Sequence, residues 1–407
     1  MPLDTNPHSS GSPMILPHDV EVARSAHRAM VPQQLPSAEG LDIAALFRPS
    51  DAIGGDIYDI VRVSKDMLGI FMFDVSAKGV SSALIAAITK VSFLKHLRTA
   101  RSPRALMSRV NADMVRRFSS MHFIAAFAAY LDLHSNRLTY CNAGHVYPLV
   151  YGAADGALKP LRTAGLFLGL FDDGLYEEDS MFLHPGDWLV VFSNGVYAAF
   201  DAENEIAGRR ELEQTIAQSA REASPRALID TLSRRTDEMA EPLADDISVV
   251  AAQVLTESRR NLLKTKLGFL VGDPVYLQFI NYFEEMDKAT SVILKEMDVF
   301  GYPDGSIRKM KISLTELLAN AIYHGNGRDN TRCVTIGHLA DKNCVTVSIM
   351  DEGEGFDYNN IPDPTLPENL EKDCGRGLFI VKNYVDGIEF NPDGNRVTIR
   401  KYRGGKE

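Results

Sequence analysis

Four short segments each set an Asp or Asn beside a run of apolar residues: Gly54-Gly55-Asp56-Ile57-Tyr58-Asp59, Phe73-Asp74-Val75-Ser76, Phe192-Ser193-Asn194-Gly195 and Asp245-Asp246-Ile247-Ser248. The adjoining runs, such as Gly69 to Phe73 and Trp188 to Phe192, are short and densely apolar, as buried strands are. Carboxylates brought by different strand ends to one sheet edge can jointly hold Mg2+ or Mn2+, hard cations that take oxygen ligands and keep several waters. Two such ions about 4 Å apart bind a phosphate and activate a water for in-line attack. A single Asp at a strand end also reads as an ordinary turn starter, so the weight lies in the set. From about residue 40 to 254 strand-like runs predominate. Helical spacing appears in Val80 to Leu97, with Leu84, Ile88 and Val91 on one face, and in Pro225 to Met239. The mixture predicts an α+β layered domain.

A second set of residues lies in the last third. In Ser313 to His324, Leu314, Leu317, Leu318, Ala321 and Ile322 form one apolar stripe, which predicts an amphipathic helix against a core. Glu316 and Asn320 are four apart and share a face. A Glu there can orient or deprotonate a hydroxyl, and a carboxamide oxygen can ligate the Mg2+ of a triphosphate. Taken alone, the pair suits a solvated helix surface equally well. Asp351, following the strand-like Cys344 to Ile349, can accept from an adenine amino group, while Gly353 and Gly355 let backbone approach a nucleotide. Gly375-Arg376-Gly377 opens another helical run, and glycine-flanked N–H groups at a helix start suit phosphate.

At 407 residues the chain exceeds one compact core and suits two domains behind a short leader. We expect residues 1–37 to be a leader with a signalling or dimerising helix from about His18 to Val31, on which Val22, Ala26, Ala29 and Met30 share one side. Residues 38–256 and 260–407 then form the domains, with charged residues around Thr256 to Lys266 at the junction and a strand-like start at Lys266 to Val271. The net charge of −11 excludes a generic nucleic-acid binder, because phosphate recognition needs a positive surface. The longest nearly apolar run, Phe123 to Leu131, is too short to cross a bilayer, and residues 1–14 lack the features of a secretion signal. Cys141, Cys333, Cys344 and Cys374 have no metal-binding spacing and read as free buried thiols of a reducing cytoplasm.

The first set of motifs, with AHRAMVPQQLP, GGDIYD, DVSAKG, NAGHVYPLV, LHPGDWLVVFSNGV and ADDISVV in this order, resembles the metal-dependent (PPM, type 2C) serine/threonine phosphatases of the SpoIIE/RsbU branch over about residues 18 to 254. That resemblance implies a PPM-type layered β-sandwich flanked by helices. It also implies a two-ion Mg2+ or Mn2+ site formed by Asp56, Asp74, Asn194 and Asp245, with Ile57 and the Val75 carbonyl beside them, and hydrolysis of protein phosphoserine or phosphothreonine. Asn194 departs from the family Asp, which predicts weakened metal binding and reduced or absent phosphatase activity. Ala77 replaces the usual Gly of DVSGKG.

The second set resembles the Bergerat (GHKL) ATPases, closest to RsbW-type anti-sigma serine kinases, and implies an α/β sandwich that binds ATP with Mg2+. By that resemblance Glu316 is the catalytic base, Asn320 the Mg2+ ligand and Asp351 the adenine reader. His324, Gly353, Gly355, Gly375, Arg376 and Gly377 line the nucleotide, and residues 357–374 form a mobile lid. The pairing implies a cytoplasmic bifunctional regulator acting on a STAS-type anti-anti-sigma protein, and it leaves two narrower roles open: a kinase with a disabled phosphatase, or a protein that sequesters a sigma factor. A homodimer is expected, with no nucleic-acid or membrane partner.

Overall fold

The computed structural model describes residues 17–407 except 33–34, 37, 39, 65, 78, 119–121, 202, 223, 240–242, 281–282, 330–331, 359–375 and 406–407. Its N-terminal half is a sandwich of two five-stranded antiparallel sheets. One sheet orders β2 (Ile57–Ser64), β3 (Met67–Val75), β4 (Ile124–Asp132), β5 (Arg137–Ala143) and β8 (Glu178–Phe182). The other orders β1 (Leu41–Arg48), β10 (Ile247–Val254), β9 (Trp188–Phe192), β6 (Leu149–Tyr151) and β7 (Leu158–Pro160). Alternation along β9 feeds two cores: Leu189 and Val191 enter the core shared with the first sheet, and Trp188, Val190 and Phe192 the core beneath α4 (Glu205–Glu222) and α5 (Pro225–Asp237). This double burial makes β9 read as a continuous apolar run.

Helices α2 (Gly79–Leu97) and α3 (Pro103–Arg117) cover the outside of the first sheet, where Phe93 stacks on Phe71 at a centroid distance of 4.6 Å. Leu84, Ile88 and Val91 share a face of α2, and it is the outward one, at 61, 38 and 66 % exposure. The buried face is Ser82, Ala83, Ile85, Ala86, Thr89, Ser92, Phe93 and Leu97, whose small residues let the helix sit close to the sheet. Among the described residues this 19-residue helix alone is long and apolar enough to cross a membrane by length and composition, and 44 % of its most apolar 18-residue window is buried in the domain. On α1 (Pro17–Arg28) the expected apolar side likewise faces outward at Val22, while His27 is the buried residue.

The charged junction is itself a helix, α6 (Glu257–Lys266), capped by Thr256 Oγ1 accepting from Arg259 N. The strand expected at Lys266 to Val271 is absent; the first strand beyond is β11 (Tyr276–Ile280), because Gly268 at φ +84° and the hydrogen-bonded turn at Asp273 break any extended run. The C-terminal half is one antiparallel sheet, ordered β11, β12 (Val334–Ala340), β13 (Cys344–Met350), β15 (Arg396–Tyr402) and β14 (Gly387–Phe390), backed by α7 (Met286–Val299), α8 (Asp304–Asn320) and α9 (Arg376–Tyr384). Leu314, Leu317, Leu318, Ala321 and Ile322 are buried in its core as the stripe predicted. Cys141, Cys333 and Cys344 are free thiols; Cys141 is buried and the other two are half-exposed, and Cys374 lies outside the described residues.

Candidate functional sites

Strand pairing assembles the acidic edge. The register Ile57↔Phe73 sets the start of β2 beside the end of β3, and Val249↔Phe192 sets the start of β10 beside the end of β9. Asp56, Asp74, Asn194 and Asp245 therefore meet at one edge, with Ile57 and Val75 buried in the strands behind them. Asp56 is buried and its Oδ2 has no hydrogen-bond partner. Burial, then the charges of Asp74 and Asp246, push its carboxyl well above the usual range. Burial, then Asp245 and Asp246, push Asp74 up to about 7.

Neighbouring carboxylates that resist ionisation, one with an orphaned buried oxygen, form a donor set suited to divalent cations. Among the described residues no three His, Cys, Asp or Glu side chains are gathered closely enough to enclose an ion, so bound cations would have to draw the acids together. Asn194, exposed at the start of the 3-10 turn Asn194–Ala199, donates from Nδ2 to Asp245 Oδ2 at 3.2 Å. The amide thus neutralises by a hydrogen bond a contact that two carboxylates could share only through a cation.

Asp246, absent from the expected ligands, holds the edge together. Its Oδ1 accepts from Ser50 N and Oγ at 2.8 and 2.9 Å, and its Oδ2 from Gly55 N and Asp56 N at 2.9 and 3.3 Å. With both oxygens engaged by the loop ahead of β2, Asp246 orders that loop while Asp245 points to Asn194. The doubled Asp245-Asp246 was the sequence signal, and only the fold divides the two roles.

In the C-terminal half, Glu316 and Asn320 are half-buried on the last turns of α8, which passes into a π-helical turn, Ala321–Gly325. Such turns are concentrated at functional sites. Asp351, half-buried just after β13, accepts from Gly353 N at 2.9 Å, and burial pushes its carboxyl up. A Cβ at Gly353 would lie 2.0 Å from Gly325 O, and one at Gly377, near the start of α9, 2.4 Å from Glu316 Oε2. These close approaches bring the three motifs together. Gly355 takes φ +79°, and Arg376 is exposed at the first position of α9. Gly375 and almost all of the expected lid, 359–374, lie outside the described residues.

His324 is exposed on the π-helical turn. Asn326, just beyond it, is buried and accepts from Glu352 N at 2.9 Å. A cavity of about 640 Å³ between the halves, bordered by Asp42, Arg226, Arg259, Cys333, Asp351 and Glu352, has no counterpart in the sequence reading.

Residues 64–255 match the family described as Stage II sporulation protein E (SpoIIE), and residues 283–401 the Histidine kinase-like ATPase domain. The chain joins a SpoIIE-type phosphatase domain to a GHKL ATPase domain. The SpoIIE half is 27 % identical to the phosphoserine phosphatase RsbU of Bacillus subtilis (strain 168) over 235 residues, covering 57 % of this chain and 69 % of RsbU. It is also 23 % identical over 182 residues to RsbP of the same bacterium, covering 44 % of this chain and 45 % of RsbP. The ATPase half is 28 % identical to the serine-protein kinase RsbW of Oceanobacillus iheyensis over 109 residues, covering 25 % of this chain and 69 % of RsbW. The fold of both domains matches the crystal structure of the RsbU and RsbW domains of Rv1364c from Mycobacterium tuberculosis, with a TM-score of 0.51 at 19 % identity over 92 % of this chain and 96 % of that one.

Proposed function

We propose that the chain is a partner-switching regulator whose SpoIIE domain removes, and whose ATPase domain adds, a phosphate on a serine or threonine of one STAS-type partner. The observation that carries this reading is the presence in one chain of both the acidic edge around Asp56 and the Glu316–Asn320–Asp351 pocket. In the SpoIIE domain, Asp56, Asp74 and Asp245, with Asn194 and the backbone at Ile57 and Val75, hold Mg2+ or Mn2+, which when bound supply an activated water and neutralise phosphate charge. The protein's own part is to keep these acids on rigid strand ends, with Asp246 fixing the loop that carries Asp56.

In the ATPase domain, Asp351 reads the adenine, Asn320 faces the Mg2+ of ATP, and Glu316 orients and deprotonates the partner's hydroxyl. Gly353, Gly355, Gly375, Arg376 and Gly377 line the nucleotide. The outward apolar stripe of α2, together with exposed Val22 on α1, supports a homodimer. Both domains are read as acting in the cytoplasm.

A second reading, a kinase carrying a disabled phosphatase, is favoured by the Asn194–Asp245 hydrogen bond, which occupies a ligand oxygen without any cation. The full chain incubated with radiolabelled ATP and a STAS-domain protein, followed by an ATP-free chase with Mn2+, decides between them. Label that appears on Ser or Thr and then leaves as phosphate supports the bifunctional switch. Label that stays supports the second reading. Stable binding of a sigma factor without any labelling would replace both with a sequestering role.

A further inference from the structure

The leader helix makes a buried polar contact with the acidic edge, through a residue that neither proposed site uses. His27, near the end of α1, is only 2 % exposed, and its ring lies against Phe47 at a centroid distance of 5.7 Å. Its Nε2 lies 2.9 Å from Gly54 O and 3.2 Å from Gly54 N. Gly54 in turn is flush against Asp246: a Cβ there would stand 1.7 Å from Asp246 Oδ2, the oxygen that accepts from Gly55 N and Asp56 N. The Gly54–Asp56 backbone is thus clamped between His27 on one side and Asp246 on the other. A nearby strap reinforces the clamp, since Lys90 of α2 donates to Met30 O just beyond α1 and pairs with Asp59 of β2 at 3.0 Å.

We infer that His27 is a positioning residue for the SpoIIE-domain site, holding Gly54 so that the buried carboxylate of Asp56 is presented to the cations. The inference rests on the phosphatase reading of that edge. A single ring nitrogen faces both the N–H and the C=O of Gly54, so it donates to one or accepts from the other. A carboxamide can do both at once. Glutamine should therefore keep the tether, and leucine, of similar bulk without a polar atom, should lose it.

The test uses the full chain as wild type, His27→Gln and His27→Leu, without nucleotide. Hydrogen exchange of the 50–58 segment is followed in EDTA, with 344–350 as the internal control, and Mn2+ affinity is measured by titration calorimetry. In His27→Leu the 50–58 segment should exchange at least about tenfold faster and Mn2+ should bind about 10- to 100-fold more weakly, with 344–350 unchanged. His27→Gln should restore both to within about threefold of wild type, which mere filling of space would not. Unchanged exchange at 50–58 in His27→Leu, or a folded His27→Gln as defective as His27→Leu, would overturn the inference. Failure of the wild type to bind Mn2+ would overturn the phosphatase reading instead, while exchange at 50–58 still decides whether His27 positions the loop.

Discussion

Replacing Asn194 by Asp tests the reasoning about the acidic edge most directly. In the ion-free protein the substitution removes the 3.2 Å hydrogen bond to Asp245 and sets a second carboxylate against it. The lost bond costs about 1 kcal/mol. Two unit charges about 4 Å apart repel by about 4 kcal/mol at an effective dielectric near 20 and by about 1 kcal/mol in bulk water. Asn194 is exposed, so the lower figure applies and the total is about 2 kcal/mol. For a domain of this size that corresponds to a fall in melting temperature of about 4–8 °C in EDTA.

Mn2+ should offset most of this loss, because a carboxylate can bridge where the amide cannot. Tenfold tighter binding would return about 1.4 kcal/mol at saturating metal. Calorimetric melting of wild type and Asn194→Asp in EDTA and across a Mn2+ series reads both effects, with p-nitrophenyl phosphate hydrolysis alongside. The variant should melt lower without metal, gain more from Mn2+ and hydrolyse faster. Equal Mn2+ shifts in the two proteins, or no loss in EDTA, would refute the claim that Asn194 stands in for a bridging ligand.

Glu316→Gln should keep ATP affinity within about threefold while slowing phosphoryl transfer by about 100-fold or more, read by equilibrium binding and by labelling of a STAS partner. His145 is buried and its pKa is pushed down to about 4 from 6.5, by burial. Between those values the unfolded chain holds a proton that the folded one does not, so its contribution is fully present above pH 6.5 and is lost as pH falls toward 4. The loss amounts to about 3 kcal/mol and should appear in urea midpoints compared at pH 7.5 and 4.5, with a flatter profile in His145→Asn. The double substitution Leu84→Glu and Val91→Glu should shift sedimentation from dimer to monomer with the far-ultraviolet circular dichroism unchanged, because both side chains point outward.

Residue chemistry and spacing alone made the acidic strand ends legible, as well as the Glu316–Asn320 helix face and the Asp351 turn, because each motif is a local arrangement that a strand or helix presents in only one way. Local pattern also located Trp188 to Phe192, buried on both faces, and the stripe of α8, which faces a single core. It left open which way a face turns where a neighbour decides it. On α2 close packing on the sheet favours Ser82, Ala83 and Ala86 on the inner face and leaves Leu84 and Val91 outside.

His27, Asp246 and Asn326 show the same limit at the sites. Each acts through hydrogen bonds to backbone distant in sequence, and nothing in its own neighbourhood announces that partner. The chain's one-dimensional pattern therefore determined which chemistry was present and on which elements. The tertiary structure decided which side chains gather at the acidic edge and around Asp351 and which hold the backbone in place, because that division depends on pairings across 26 to 196 residues that only the folded chain brings within hydrogen-bond distance.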